Sequence, residues 1–94
     1  ITSGKIPKSI KEQTRIILIN IKSIIQAAKL EIKNIIKTTI FTTNLKNFDK
    51  INETYEKFFI DNISPFPARS CVEVKALPKN VKIEIAAIAY YKIN

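Results

Sequence analysis

The stretch Pro67-Ala68-Arg69-Ser70-Cys71-Val72-Glu73-Val74, followed by Leu77-Pro78-Lys79-Asn80 and then Val81-Lys82-Ile83-Glu84-Ile85, decides the fold of this chain. Period-two alternation puts Ser70, Val72 and Val74 on one face of the first segment and Arg69, Cys71 and Glu73 on the other. In the second segment Val81, Ile83 and Ile85 alternate with Lys82, Glu84 and Ala86. Read as an antiparallel hairpin turned at Leu77-Pro78-Lys79-Asn80, the strands keep their apolar sets together with Val74 opposite Val81 and Val72 opposite Ile83. Glu73 then faces Lys82, and Cys71 faces Glu84. In that register Arg69 and Glu84 are diagonal neighbours on the polar face, about 7 Å apart and able to touch one small ligand.

Working upstream, Asn34 to Thr43 is rich in β-branched residues and alternates Ile36, Thr38 and Ile40 against Ile35, Lys37, Thr39 and Phe41, which predicts a strand buried on at least one side. Phe48, Ile51, Tyr55, Phe58 and Phe59 recur at helical intervals after Asn47, a candidate cap, and predict a helix ending near Ile60. Pro65 and Pro67 force an extended run into the Arg69 strand. Further upstream, Ser9 and Glu12 match a capping box, and Ile10, Ile17, Ile21, Ile24, Ile25 and Ala28 give a helical stripe, so a helix is expected from Ser9 to Lys29. Ile1 to Pro7 reads as the end of a strand. The order β-α-β-α-β-β predicts an α+β fold with both helices packed on one face of a mixed sheet. Arg69 and Glu84 are expected on the opposite face, which needs a partner surface because it also carries Ile88 and Ala86.

Composition bounds the function. Ninety-four residues allow one domain with a modest core, so association is expected. Of the 16 basic residues only Arg15 and Arg69 are arginines; the rest are lysines scattered along the chain. No block of like charge forms, and the aromatics sit in apolar positions, so the net charge of +8 reads first as solvated lysines, with nucleic-acid binding the minor alternative. With no histidine and a single cysteine, Cys71, neither a structural metal nor an internal disulfide is expected, and a reducing compartment is the simpler assignment. The longest apolar run, near Ile16 to Ile25, is broken by Asn20, Lys22 and Ser23 and does not predict a membrane span.

Thr2-Ser3-Gly4-Lys5-Ile6-Pro7, Ile35-Ile36-Lys37-Thr38-Thr39-Ile40-Phe41, Asn52-Glu53-Thr54-Tyr55 and the Pro67 to Ile85 region together closely resemble the YjgF/Rid family of reactive enamine/imine deaminases, also called L-PSP endoribonucleases or translation inhibitors. The resemblance runs over essentially the whole chain. It implies a chorismate-mutase-like protomer in a homotrimeric barrel, with ligand clefts between subunits. It further implies hydrolysis of 2-imino and 2-enamino acids such as 2-aminoacrylate to the 2-oxo acid and ammonia, without a cofactor, in the cytoplasm or in an organelle if a targeting segment precedes Ile1. By the family pattern Arg69 grips the substrate carboxylate, Glu84 positions or activates water, and Ser3, Gly4, Asn52 and Cys71 line the cleft. The family's longer amino-terminal portion, with two strands and a cleft-closing tyrosine, and a short loop between Pro7 and Lys8 are not in this sequence. The single domain 1–94 is therefore expected to lack them.

The residue types suit that chemistry. A planar guanidinium matches a carboxylate with two parallel hydrogen bonds and keeps its charge, and in a chain without histidine a glutamate is the natural general base and acid. Simpler roles compete: a cross-strand ion pair for Arg69 and Glu84, a small buried apolar group for Cys71, turn residues for Ser3 and Gly4, and core for Tyr55 and the phenylalanines. Asn52 is unfavourable inside a helix, which hints at a polar role. Two other functions compete with the deaminase: an endoribonuclease or translation inhibitor, and a non-catalytic small-ligand binding protein or chaperone.

Overall fold

The computed structural model describes residues 8–90. The strand expected at Ile1 to Pro7, and with it Ser3 and Gly4, lies outside the described residues. Helix α1 (Ile10–Ala27) begins where expected, with Ser9 Oγ accepting from the Glu12 N–H at 3.4 Å. The Glu12 carboxylate does not complete a capping box; it takes two hydrogen bonds from Arg15, each 2.9 Å. The inward face of α1 is Ile10, Gln13, Thr14, Leu18 and Ile25, with Ile17 and Ile21 packed beside it. Ile24 is 69% exposed and Ala28 is also exposed, because the inward stripe runs through Leu18 rather than through the full run of isoleucines.

Strand β1 (Ile35–Thr42) is followed by α2 (Phe48–Asp61) and β2 (Ala68–Glu73), and β2 pairs parallel with β1, as a helical crossover requires. Asn47 makes no side-chain cap to α2. Asn44 caps instead, its Oδ1 accepting from the Lys46 N–H at 2.9 Å at the head of a 3-10 turn, Leu45–Asn47, that leads into the helix. Strand β3 (Ile83–Ala89) pairs antiparallel with β1, and the sheet order is β2-β1-β3.

The expected hairpin is therefore absent. β2 and β3 do not pair; β1 lies between them. Residues 74–82 connect the two edge strands, longer than a tight hairpin loop of about two to five residues. The loop crosses the end of β1, tied there by Val74 N–H to Thr42 C=O at 2.9 Å and Thr43 N–H to Lys82 C=O at 3.1 Å. β1 is the most β-branched segment of the chain and offers two hydrogen-bonding edges, one taken by each later strand.

This arrangement reverses the faces expected for β2. Thr38, Ile40 and Thr42 of β1 face the helices, and their register partners in β2 are Arg69, Cys71 and Glu73. In β3 it is Ile83 and Ile85 that face inward, both buried. The other sheet face carries Ser70, Val72, Phe41, Glu84, Ala86 and Ile88. An irregularity between Ile35 and Lys37 turns Ile36 outward, 46% exposed, while Ile35 stays buried. The core between sheet and helices is centred on Leu18, Ile40, Ile51, Tyr55, Phe59 and Ile83, where each large apolar side chain contributes about 1.5–3 kcal/mol by leaving water.

With the only glycine of the sequence at position 4, left-handed backbone falls on other residues. Lys29 (φ 61) ends α1, where Leu30 N–H reaches Ile25 C=O at 2.9 Å, and Ile63 (φ 52) ends α2, where Ser64 N–H reaches Phe59 C=O at 3.0 Å. Both are Schellman-type closures. Lys79 and Asn80 adopt the same region in the loop over β1.

Candidate functional site

The sequence-predicted residues divide into two groups. Arg69, Asn52 and Cys71 come together beside the amino-terminal half of α2. Glu84 does not join them. Arg69 is opposite Thr38 on one side of β1, and Glu84 is opposite Phe41 on the other side, three residues further along. Two strand spacings and that offset separate their backbones by about 14 Å, not 7 Å, and the side chains leave opposite faces of the sheet. The diagonal-neighbour geometry expected from a hairpin is overturned by the intervening β1.

Arg69 lies on the helix face of β2, an edge strand among the described residues, where its stem can cover apolar surface while the head reaches water. Its guanidinium carbon is 4.9 Å from the Tyr55 ring centroid and 5.4 Å from that of Phe48, both within cation–π range. Its Nη1 donates a hydrogen bond to Asn52 Oδ1. Among the described residues no carboxylate pairs with it. A guanidinium with aromatic neighbours and no carboxylate partner among the described residues keeps donors with which it can receive an anionic group.

Tyr55 is 2% exposed and is held by more than its ring: its hydroxyl lies 2.7 Å from the buried Thr38 hydroxyl, and its ring lies 4.8 Å from that of Phe59. Burial raises the phenol above its ordinary pKa, opposed by the Thr38 hydrogen bond and by the charge of Arg69. Thr38 and Arg69 are register partners, so strand pairing itself brings both to one ring. Cys71, half-buried against Ile40 and the core, also has its pKa raised by burial, with Arg69 pulling the other way. Apolar surroundings of this kind make a thiol less reactive. Glu73 continues the same row and accepts from the Leu45 N–H at 2.8 Å, tying the end of β2 to the turn before α2.

The sequence predicts core positions for Phe48 and Tyr55 but not their contact with Arg69. The signal was present: Phe48, Asn52 and Tyr55 stand at i, i+4 and i+7 and so share one helix face. No group of three or more histidine, cysteine or acidic side chains among the described residues could hold a metal ion, and no helix among them is long and apolar enough to cross a membrane.

The sequence profile of the family described as Endoribonuclease L-PSP matches residues 1–91. A RutC family protein of Buchnera aphidicola subsp. Schizaphis graminum is 64% identical over 92 residues, 98% of this chain and 72% of that protein. The 2-iminobutanoate/2-iminopropanoate deaminase of Escherichia coli K12 is 51% identical over 87 residues, 93% of this chain and 68% of the enzyme. The crystal structure of E. coli TdcF with bound serine superposes with a TM-score of 0.94 at 46% identity, covering 97% of this chain and 72% of that one. The profile match and these identities, joined to the two-helix, mixed-sheet architecture, establish that the chain belongs to the endoribonuclease L-PSP family, the YjgF/Rid group that its Arg69 and Glu84 segments resemble.

Proposed function

We propose that this protein hydrolyses 2-imino acids and their enamine tautomers to 2-oxo acids and ammonia, with Arg69 binding the substrate carboxylate and Glu84 of a second copy activating water. The observation that carries the reading is the Arg69 guanidinium, set between two aromatic rings with a neutral hydrogen-bond acceptor and no carboxylate partner among the described residues. The deaminase name of a relative about half identical supports it.

The division of labour between copies follows from the sheet. One protomer cannot bring Arg69 and Glu84 to a common small molecule, because they leave opposite faces. The Glu84 face bears Val72 at 43% and Ile88 at 56% exposure beside Phe41, apolar surface that association would cover. A closed ring of copies, in keeping with the homotrimeric chorismate-mutase-like barrel that the family resemblance implies, would let the Glu84 face of one copy approach the Arg69 edge of the next.

The reaction needs no strong nucleophile. Water adds to the imine carbon, the C=N π pair moves to nitrogen, and a carbinolamine forms. A proton reaches that nitrogen, the C–N bond breaks to release ammonia, and the hydroxyl loses its proton to become the 2-oxo group. Glu84 would take the proton from the attacking water and return it to the leaving nitrogen. Arg69 would hold the adjacent carboxylate through two parallel hydrogen bonds and so orient the imine carbon toward the water.

Subunit complementation tests this. Arg69→Ala and Glu84→Gln are each expected to abolish acceleration of 2-aminoacrylate decay while keeping the wild-type oligomeric state. Unfolded and refolded together, the two inactive variants should regain roughly a quarter of wild-type activity, the fraction of interfaces that randomly assort an intact pair. Full activity of either single variant, or no recovery on mixing, overturns the assignment.

A further inference from the structure

Phe48, Asn52 and Tyr55 project from one face of α2, and all three meet Arg69, yet each does so differently. The two rings lie beside the guanidinium and restrict its plane without occupying a hydrogen-bond donor. Asn52 occupies a donor on Nη1 and contributes no charge.

The orientation of the Asn52 amide is set from its far side. Its Nδ2 donates to Glu56 Oε2 at 3.2 Å, one helical turn on. An ionised carboxylate only accepts, so the NH2 group must face Glu56 and the oxygen must face Arg69. Glu56 therefore acts on the guanidinium through the amide, while its negative charge bonds to the amide rather than to Arg69. An aspartate at this position would have nearly the same shape but would pair with Arg69 directly, and a substrate carboxylate would then have to displace it.

We propose that Phe48, Asn52 and Tyr55 form a positioning cradle for Arg69, in which the neutral Asn52 amide, oriented by Glu56, reserves the guanidinium charge for a substrate carboxylate. This rests on the reading of Arg69 as the carboxylate clamp. It changes Asn52 from a cleft-lining group to a positioning residue, and it adds Glu56 and Phe48, the latter read from the sequence only as core. Tyr55 fits the same logic, since a phenol brings no anion to the arginine and burial raises its pKa further.

The test pairs steady-state kinetics on 2-aminoacrylate with calorimetric binding of pyruvate, the unreactive 2-oxo acid product. Asn52→Asp should raise KM and weaken pyruvate binding by about tenfold or more, with kcat changed by less than about threefold. That deficit should narrow as pH falls and the introduced carboxylate takes up a proton, which a purely structural defect would not do. Asn52→Ala should fall between wild type and Asn52→Asp, because the charge stays free while the rotamer loosens. Phe48→Leu, which keeps apolar volume but removes the ring, should raise KM about threefold. Wild-type pyruvate binding in Asn52→Asp, or a deficit that ignores pH, overturns the cradle. Arg69→Ala separates the two levels of the argument. If it too binds and turns over like wild type, the clamp itself is wrong; if it loses both while Asn52→Asp is normal, only the cradle falls.

Discussion

The Tyr55 hydroxyl and the Thr38 hydroxyl form a buried pair 2.7 Å apart, linking the middle of α2 to the central strand directly opposite Arg69. Removing one partner leaves the other desolvated and unsatisfied. Tyr55→Phe and Thr38→Val should each lower unfolding free energy by about 1–3 kcal/mol, and the double variant by less than their sum, as a double-mutant cycle in urea would measure.

The same tyrosine makes stability depend on alkaline pH. Its folded pKa lies above the ordinary value of 10.0, so the folded state holds the proton more tightly than the unfolded chain does. The stabilisation is fully present below the unfolded value and is lost as pH rises from there through the folded value. Urea midpoints should therefore fall with rising pH above about 10, and Tyr55→Phe should flatten that limb. An unchanged slope in the variant would contradict the assignment.

Cys71 should react slowly with iodoacetamide at neutral pH, with a rate midpoint above that of an ordinary thiol, because burial raises its pKa. Arg69 opposes that rise, so Arg69→Ala should push the midpoint higher still. A lower midpoint in the variant would show that the guanidinium is not the charge that the thiol senses.

Ile63 ends α2 in the left-handed region with a β-branched side chain that is 93% exposed and packs on little. An L-residue there costs roughly 1–2 kcal/mol, partly offset when replaced by glycine's larger loss of chain entropy. Ile63→Gly should raise stability by about 0.5–1 kcal/mol, seen as a higher urea midpoint at constant m. A lower midpoint would mean that the exposed side chain contributes more than the backbone strain removes.

Charge alone should not replace Arg69. A lysine offers a point charge without the planar fork and stacks less well between Phe48 and Tyr55. Arg69→Lys should lower kcat/KM for 2-aminoacrylate by about a hundredfold. Near-wild-type activity would show that the carboxylate is held by long-range attraction rather than by a fork.

The elements were legible in the sequence where one physical signal dominated. The Ser9 cap placed the start of α1, the aromatic spacing placed α2, and the β-branched run from Ile35 to Thr42 placed the central strand. The strand order was not legible, because alternation of residue types is the same whether strands adjacent in sequence pair directly or on either side of a third. Nothing local to β2 or β3 records that β1 presents an edge to each of them. Once that neighbour was mistaken, the faces of β2 followed: Val72 is more apolar than Cys71, yet Cys71 packs inward. A hairpin would place Arg69 with Glu84 on an open face. Its actual place above Tyr55 depends on a long apolar stem whose head can reach the edge of the sheet, a property that alternation of residue types does not encode.

The loop over the end of β1 has a consequence for how divisible the molecule is. Among the described residues each outer strand draws its ladder bonds from Ile35–Thr42 and none from the other, so a nick beside Lys79 would sever the polypeptide without opening a ladder between them. The fragment bearing Arg69 and the fragment bearing Glu84 would then dock through β1 as a split protein. The two halves of the proposed chemistry could be exchanged, labelled or silenced on separate peptides.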